Sequence, residues 1–459
     1  MSGTDARSRF DRRLLPVMVL GAVLNPINSS IVAVALVPIG RALDAPASQT
    51  AWLVSGLYLA TSIGQPVVGR LVDVLGPRRL SLAGAVLIGL GGLIGTLAPN
   101  LPVLVVARVV LGLGTCAGYP AAMYLIRSEA RRTGEESPQS VLTVLAVSSQ
   151  TIAVVGPTLG GLLIGVGGWR ATFAVNLPLA VVTFVLAWLR MPRGTITPPT
   201  AARPSYDLPG VALFSGTLIA LLLFLMEPSL DDTWLLLLTV VLAVLFAVRE
   251  LRASDPFLDV RVLGHSPALL ATYLRQLLTG ITAYSVLYGV TQWLQDGRGL
   301  SPSQAGALLL PLSGTALVVS ALTGRRAEIR AKLVVGACAQ LLGSMLLLLL
   351  DGATPVWFLV VLIVVFGVPQ GLLNLGNQNA VYHQAEASRI ASSAGLLRTG
   401  MYLGAIASSA AAGAFFGPSA DTPGLHQLAW FLVVVSGLMT LLTLADRSLR
   451  AVGVRHDES

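Results

Sequence analysis

The chain has 459 residues, of which 54% are hydrophobic and 11% are charged, whereas a soluble domain has roughly 25% charged residues. The mean hydropathy is +0.77, so the composition excludes an ordinary soluble protein and predicts one that lies in a lipid bilayer. The formal net charge of +8 does not indicate a nucleic-acid partner, because the basic residues are spread over many loops.

Uncharged apolar runs recur along the whole chain, and a run of about 17 to 25 residues can cross a hydrocarbon core of about 30 Å as a helix. The first run continues through Gly40 without a small-residue cleavage site, which predicts a retained span and not a signal peptide. We predict fourteen spans, at 14–40, 50–69, 81–98, 101–127, 141–166, 171–190, 208–227, 233–249, 268–294, 303–323, 333–350, 355–380, 391–416 and 425–445.

The distribution of positive charge predicts the orientation. With the N-terminus inside, cytoplasmic segments hold all of the 30 basic residues except Arg41, Arg170 and Arg298 in outer loops and Arg108 and Arg275 within spans. The positive-inside rule therefore predicts that both termini are cytoplasmic. This assignment counts Arg398 with the cytoplasmic segments. We expect a multi-pass protein of the plasma membrane.

The predicted spans divide the chain into two similar parts. We predict a six-helix bundle at 1–190, a Pro-rich cytoplasmic linker at 191–207, two additional spans at 208–249 and a second six-helix bundle at 250–459. An internal repeat of this kind is typical of secondary transporters.

A charged loop, GRLVDVLGPRR, joins the second and third predicted spans. Its glycines permit a tight turn, and its acid can pair with an arginine or lie at a helix N-terminus. A degenerate copy follows the tenth span, with Gly324, Arg325, Glu328 and Lys332 in corresponding places. The loop resembles the one between helices two and three of the major facilitator superfamily, in which it latches two bundles together on the cytoplasmic side. The resemblance implies gating roles for Gly69, Asp73, Gly76, Arg78 and Arg79.

Two further motifs support the resemblance. Arg108 in R-x-x-x-G-x-G matches the family's fourth-span motif, and Gly156, Pro157, Gly160 and Gly161 match a fifth-span signature of antiporters. Physically, Pro157 favours a kink, and small residues four apart allow close helix packing. With the WRATFAVNLP segment at 169–178, these motifs are similar to the fourteen-span drug:proton antiporter branch. The implied fold is all-α and integral to the membrane, with two six-helix bundles plus two extra spans.

The first span departs from that branch at one functional position. The branch carries an acidic residue where this chain has Asn28, so the membrane carboxylate that the resemblance associates with proton coupling is absent there. The sequence therefore leaves open whether transport is coupled to protons.

Polar side chains form stripes at helical spacing on four otherwise apolar spans. Each amide or hydroxyl could bond a neighbouring helix, worth about 0.6 kcal/mol on average, but the set favours a shared cavity. The candidate cavity residues are Asn25, Asn28, Tyr58, Gln65, Tyr284, Tyr288, Gln292, Gln370, Asn374 and Asn377.

Two arginines lie within predicted spans. We expect Arg275 to extend to the cytoplasmic interface. Arg108 lies deeper and needs partners, for which we consider two arrangements. It bonds carbonyl groups freed by Pro26 and the amides of Asn25 or Asn28, or it faces the cavity. Without a carboxylate in the candidate cavity, either arrangement favours neutral or anionic cargo.

The function that the sequence predicts is export of small, largely apolar organic molecules by alternating access. The alternatives are a lipid or metabolite exporter and a non-transporting scaffold or sensor with the same fold. A membrane enzyme should show clustered His, Asp or Cys at membrane depth, which the sequence lacks. We expect a monomer in the lipid bilayer with no cofactor and no metal.

Overall fold

The computed structural model describes residues 11–133, 139–192, 207–226, 231–253, 256, 261, 266–323, 328–384 and 390–450. Helices joined by short turns account for nearly all of these residues, and this part of the chain contains no strand. The α-helices are α1 (Leu15–Ala33), α2 (Leu36–Leu43), α3 (Ala47–Leu75), α4 (Pro77–Leu97), α5 (Leu101–Thr115), α6 (Gly118–Thr133), α7 (Gln139–Gly167), α8 (Ala171–Ala174), α9 (Asn176–Arg190), α10 (Leu208–Met226), α11 (Thr233–Arg252), α12 (Pro267–Tyr284), α13 (Thr291–Asp296), α14 (Pro302–Leu308), α15 (Leu310–Thr323), α16 (Ile329–Leu347), α17 (Val356–Gln384), α18 (Ile390–Phe416) and α19 (Thr422–Ala445).

Helix boundaries follow local chemistry. Asn100 caps α5, Ser301 caps α14 in a capping box with Gln304, and Asp421 caps α19, in each case with proline in the first turn. Such caps satisfy N–H groups that have no partner inside the helix. Gly76 joins α3 to α4 with φ of +86°, a conformation that costs glycine little.

Two groups of helices make up the molecule. In the first half, α1 packs on α7, α3 on α5, and α4 on α5 and α9; in the second half, α12 packs on α18 and α16 on α17 and α19. The halves meet where α3 contacts α18 and where α7 contacts α14 and α15. Each half has an apolar core, around Leu57, Leu104 and Leu111 in the first and around Leu333 and Leu432 in the second.

Helices α10 and α11 form an additional pair beside the boundary between α3 and α18. They pack on each other, and α10 contacts both α3 and α18. Phe214 and Leu218 are buried against Ile63 and Leu403, so residues from both halves hold α10. Many apolar side chains of α11 are exposed, as expected of a lipid-facing helix.

Interruptions occur in two predicted spans. The first span is divided between α1 and α2, with turn residues at Val34 and Ala35. The ninth is divided by a π-helix, Ser285–Val290, between α12 and α13. A π-helical segment frequently marks a functional region, and this one carries Tyr288.

Twelve helices in the described residues are long and apolar enough to cross a membrane, so the prediction of fourteen spans is confirmed only in part. The other two predicted spans, 141–166 and 268–294, coincide with α7 and with the interrupted helix from Pro267 to Asp296. Within α7, the segment Val155–Gly167 is apolar but shorter than a membrane span.

The two ends of the bundle can be told apart by one ion pair. Arg41, at the end of α2, contacts Asp296, at the end of α13, with 2.7 Å between Nη2 and Oδ1. We call this the far end. The chain enters α1 and leaves α19 at the opposite end, which we call the terminal end and which carries Asp11 and Asp446.

Candidate functional site

A cavity of about 290 Å³ lies between the two halves, near the lower end of the roughly 300–1,000 Å³ common for ligand pockets. Both halves contribute to its lining: Gly21, Ala22, Asn25, Pro26, Ser29, Ser30, Gln65, Thr115, Tyr119, Ser149, Pro157, Ala283, Tyr284, Leu287, Leu309, Leu312, Ser313, Gln370, Asn374, Arg398, Met401 and Tyr402. Amides, hydroxyls and apolar groups thus surround the same space.

Half of the candidate cavity residues line this space, namely Asn25, Gln65, Tyr284, Gln370 and Asn374. Their neighbours fix their orientation. The Asn25 amide donates to the Thr115 hydroxyl at 3.2 Å, and the Gln276 amide donates to Asn374 Oδ1 at 3.1 Å. The cavity wall is therefore polar and held in place by bonds between helices.

The other five candidates do not line the cavity. The Asn28 amide donates to the Leu24 carbonyl oxygen, the Gln292 amide to the Tyr288 carbonyl oxygen and the Asn377 amide to Gln276 Oε1. Only the Asn377 amide bonds a neighbouring helix, which was the alternative for each residue individually. The amides of Asn28 and Gln292 bond carbonyl oxygens four residues earlier in their own helical segments. Tyr58 and Tyr288 are also buried, but in a contact between the halves.

Four tyrosines close the space on the far-end side of the cavity. The hydroxyl oxygens of Tyr58 and Tyr288 are 3.2 Å apart, and the Tyr288 hydroxyl donates to the Ser29 carbonyl oxygen at 3.1 Å. The Tyr58 ring lies 5.0 Å from the Tyr284 ring and 5.6 Å from the Tyr402 ring, centroid to centroid. Tyr58 belongs to the first half and the others to the second, so the cluster joins the halves.

A second closure involves the glycine motif of α7, which packs against α1 on one face and against the second half on the other. A Cβ atom on Gly156 or Gly160 would collide with α1, whereas one on Gly161 would lie 2.6 Å from Ser303 Cα in the second half. Reciprocal hydrogen bonds cross at this point. The Ser303 hydroxyl donates to the Gly161 carbonyl oxygen at 2.8 Å, and the Thr158 hydroxyl donates to the Gly306 carbonyl oxygen at 3.2 Å.

A third closure connects α3 and α18. The Ser409 hydroxyl donates to the Ala51 carbonyl oxygen at 2.7 Å, and a Cβ on Gly413 would lie 3.3 Å from Ser48 Cα. With the Arg41–Asp296 pair, these contacts seal the halves together at the far end and leave the cavity on the terminal side.

Arg108 is buried on the first-half side of this seal. Its Nε donates to the Leu53 carbonyl oxygen at 2.8 Å and its Nη1 to the Asn28 carbonyl oxygen at 2.9 Å. Its partners are therefore main-chain carbonyls, but neither is the carbonyl freed by Pro26, which is that of Ala22 and accepts from the Ser149 hydroxyl. Arg108 does not belong to the described cavity lining.

Arg275 differs from the expectation that it extends to the membrane interface. It is fully buried, and its Nη1 lies 2.6 Å from Asp446 Oδ2. Nη2 donates to the Thr272 hydroxyl, and Ser448 donates to Asp446 Oδ1. Asp446 follows the last helix, so its contact with α12 could not be read from sequence spacing.

The loop between α3 and α4 contributes one contact within its own half. Arg78 Nη2 donates to the Trp188 carbonyl oxygen at 3.0 Å, and its guanidinium lies 4.5 Å from the Trp188 ring centroid. The side chain of Asp73 lies outside the described residues, as do Gly324 and Arg325 of the degenerate copy. The gating roles stay predictions.

One charged cavity residue was missed by sequence reasoning. Arg398 lines the cavity, and its guanidinium carbon lies 3.5 Å from the centroid of the Tyr119 ring in the first half. Arg398 and Tyr402 are four residues apart and share a helical face. This spacing is the signal that could have separated Arg398 from the cytoplasmic segments with which it was counted.

Comparisons with known proteins agree with this architecture. The sequence profile of the Major Facilitator Superfamily matches residues 18–409. The chain is 31% identical over 442 residues to the uncharacterized MFS-type transporter YwoD of Bacillus subtilis, covering 95% of this chain and 97% of that protein. It is 28% identical over 404 residues to the tetracenomycin C resistance and export protein of Streptomyces glaucescens, covering 85% and 73%.

Among solved structures, the nucleoside transporter NupG has a similar fold, with a TM-score of 0.65 at 11% identity, covering 95% of this chain and 99% of that one. The helical architecture, the profile match and the relatives agree with one another. The chain therefore belongs to the Major Facilitator Superfamily and is a transporter, not an enzyme.

Proposed function

We propose that this transporter exports small, largely apolar organic molecules by alternating access. The observation that carries the proposal is the cavity between the two halves, which the tyrosine cluster and the α7–α14 contact close at the far end. Such a site becomes accessible from the other side if the halves rock about it. The export function of the tetracenomycin relative supports the direction of transport.

The proposed topology has fourteen spans with both termini in the cytoplasm of the plasma membrane. Helix α7 has 29 residues, about 44 Å at 1.5 Å per residue, which is enough to cross a bilayer. The interrupted helix from Pro267 to Asp296 is of similar length. With this orientation the terminal end is cytoplasmic, and the sealed far end is extracellular.

The proposed domains keep the boundaries expected from the sequence: bundles at 1–190 and 250–459, a linker at 191–207 and extra spans at 208–249. The packing of α10 on both halves supports a pair that is added to the bundles and not part of either. We propose that the monomer is the functional unit, since the cavity is complete within one chain.

We further propose that ion coupling does not use the first span. Asn28 cannot titrate, and its amide is committed to the Leu24 carbonyl oxygen. A proton pathway therefore requires a carboxylate elsewhere in the chain.

Export is tested by drug accumulation in an efflux-deficient bacterium that expresses the protein. We expect the protein to lower accumulation of some amphipathic compounds in a panel matched for size. Ser313→Trp should abolish this effect because Ser313 lines the cavity. Val335→Trp is the matched control, since Val335 is 54% exposed on the apolar surface. Equal accumulation with and without the protein, at equal expression, would refute export.

A further inference from the structure

Arg398 occupies an unusual place for a basic residue of a membrane helix. It lies eight residues beyond the start of α18 at Ile390, about 12 Å along the helix at 1.5 Å per residue. Its side chain turns toward the cavity, where the guanidinium covers the Tyr119 ring at 3.5 Å. The contact joins the second half to the first and holds a cation inside the space between them.

The charges around the cavity are unbalanced. Of the described residues that line it, Arg398 alone carries a formal charge. The two other arginines within predicted spans are engaged elsewhere, Arg275 by Asp446 and Arg108 by two main-chain carbonyls. Within the described part of the chain, no hydrogen bond or ion pair engages the guanidinium of Arg398. Arg398 is exposed, so its guanidinium is accessible to a ligand in the cavity.

The stacking on Tyr119 determines which part of the guanidinium is available. The ring covers one planar face, whereas the five N–H donors lie in the plane and point outward from its edge. Two parallel donors at such an edge match the two oxygens of a carboxylate. The stack therefore restricts the orientation of a group that is suited to bidentate contact with an anion.

The rest of the cavity suits an apolar body. Leu287, Leu309, Leu312 and Met401 contribute to the same lining as Arg398. A molecule with one anionic group at Arg398 could thus place its apolar part against these side chains, as is usual for pockets with few polar anchors.

We propose that Arg398, held by Tyr119, is an anion-recognition site and that the cargo is an amphipathic organic acid whose carboxylate binds this guanidinium. This inference rests on the proposed transport function, since it names the cargo class for the same cavity. Because the two residues belong to different halves, the carboxylate binds where the halves meet.

Equilibrium dialysis of the purified protein in nanodiscs tests the site. The probes are naphthylacetate, naphthylacetamide and naphthylmethylammonium, which have similar size but different charge, and empty nanodiscs correct for partition into lipid. We expect the acid to bind about tenfold tighter than the amide, as a charge-assisted pair allows. Arg398→Gln should remove this preference and leave binding of the amide within about twofold. Arg398→Lys should retain a smaller preference.

Arg170→Gln is the matched control. Arg170 also stacks on an aromatic ring, that of Trp169 at 4.2 Å, but it does not line the cavity, so its loss should leave the preference unchanged. Thermal unfolding checks that each variant is folded. Equal binding of acid and amide by the unsubstituted protein, tighter binding of the ammonium, or no saturable binding of any probe would overturn the proposal. So would an equal loss of acid and amide binding in Arg398→Gln.

The dialysis readout is independent of transport, so the two proposals fail separately. Export of neutral compounds together with no preference for the acid would remove the anion site and leave the exporter. An acid preference that depends on Arg398, in a protein that changes accumulation of no compound, would leave the site and remove the exporter.

Discussion

Tyr58 and Tyr288, from opposite halves of the protein, meet with their hydroxyl oxygens 3.2 Å apart. Since the Tyr288 hydroxyl proton is donated to the Ser29 carbonyl oxygen, Tyr58 must be the donor in the contact between the two hydroxyls. Tyr288 thus takes part in two inter-half hydrogen bonds and Tyr58 in one. Both rings are almost fully buried, so water does not readily replace a lost bond.

This asymmetry predicts a graded response to removing each hydroxyl. A net hydrogen bond contributes about 0.5–1.5 kcal/mol. Tyr288→Phe, which loses two, should therefore increase the population with an open far end more than Tyr58→Phe. Double electron–electron resonance between spin labels at Pro99 and Ala353, on far-end loops of the two halves, measures this population. A larger effect of Tyr58→Phe would contradict the assigned direction of the bonds.

The glycine contact between α7 and α14 predicts a position-specific effect. Gly161→Ala places a Cβ 2.6 Å from Ser303 Cα, whereas Gly165→Ala places one 3.9 Å from Ser303 Oγ, an ordinary contact. We expect Gly161→Ala to separate the halves at the far end and lower the unfolding temperature. Gly165→Ala is the control one turn away and should change neither. If both variants retain the far-end distance distribution, close packing at Gly161 does not hold this end closed.

The buried pair of Arg275 and Asp446 predicts a dependence of stability on pH. Burial raises the pKa of Asp446, but hydrogen bonds from Ser448 and Arg275 outweigh it and hold this pKa below its usual value. A depressed carboxyl pKa contributes stability that is present above the unfolded-state pKa of about 3.9 and is lost as pH falls through the folded-state pKa.

Asp446→Asn should therefore destabilise the protein at neutral pH, since removing one member of a buried pair typically costs about 3–5 kcal/mol. The difference from the unsubstituted protein should shrink below about pH 4. Thermal unfolding in detergent at neutral and acidic pH measures both effects. A difference that grows on acidification would show that the pair does not depress the pKa of Asp446.

The identity of residue 28 predicts how transport responds to a proton gradient. Asn28→Asp introduces a group that can titrate on α1, where the Asn28 carbonyl already accepts from Arg108. We expect transport in liposomes to depend more steeply on a pH gradient in this variant, with Asn28→Ser as the control that cannot titrate. An equally steep dependence in the unsubstituted protein would place an effective proton carrier elsewhere.

The gating role expected for the loop between α3 and α4 predicts that a substitution in it changes the distance between the halves at the terminal end. If Asp73 belongs to a latch, Asp73→Asn should weaken a charge-assisted contact of about 1.5–3 kcal/mol and favour the inward-open state. Spin labels at Arg13 and Arg447, both exposed, report the distance between the halves at this end. Asp231→Asn, in the exposed turn before α11, is the control. Unchanged distances in Asp73→Asn under all conditions would remove the gate assignment.

Long apolar runs and the loop and helix motifs predict the fold, and helical spacing predicts part of the cavity lining. The stripe on α1 identified Asn25 and Asn28 together, but only Asn25 lines the space, because spacing gives a face of a helix and not the neighbour against which each residue packs. Arg275 was placed at the interface because its partner lies 171 residues away. Arg398 was counted as a topology signal because a charge near a span end has the same appearance in sequence whether it faces headgroups or the cavity.

The position of α10 and α11 has a consequence for how lipophilic molecules reach the protein. A compound dissolved in the bilayer can approach the junction of the halves from two sides, and on one of them α10 lies across both α3 and α18. Helix α10 therefore obstructs lateral access on that side and leaves the other side, where α7 faces α14 and α15. Any opening at that side would separate Gly161 from Ser303, so the same glycine contact that closes the far end also borders the lipid-facing side of the junction.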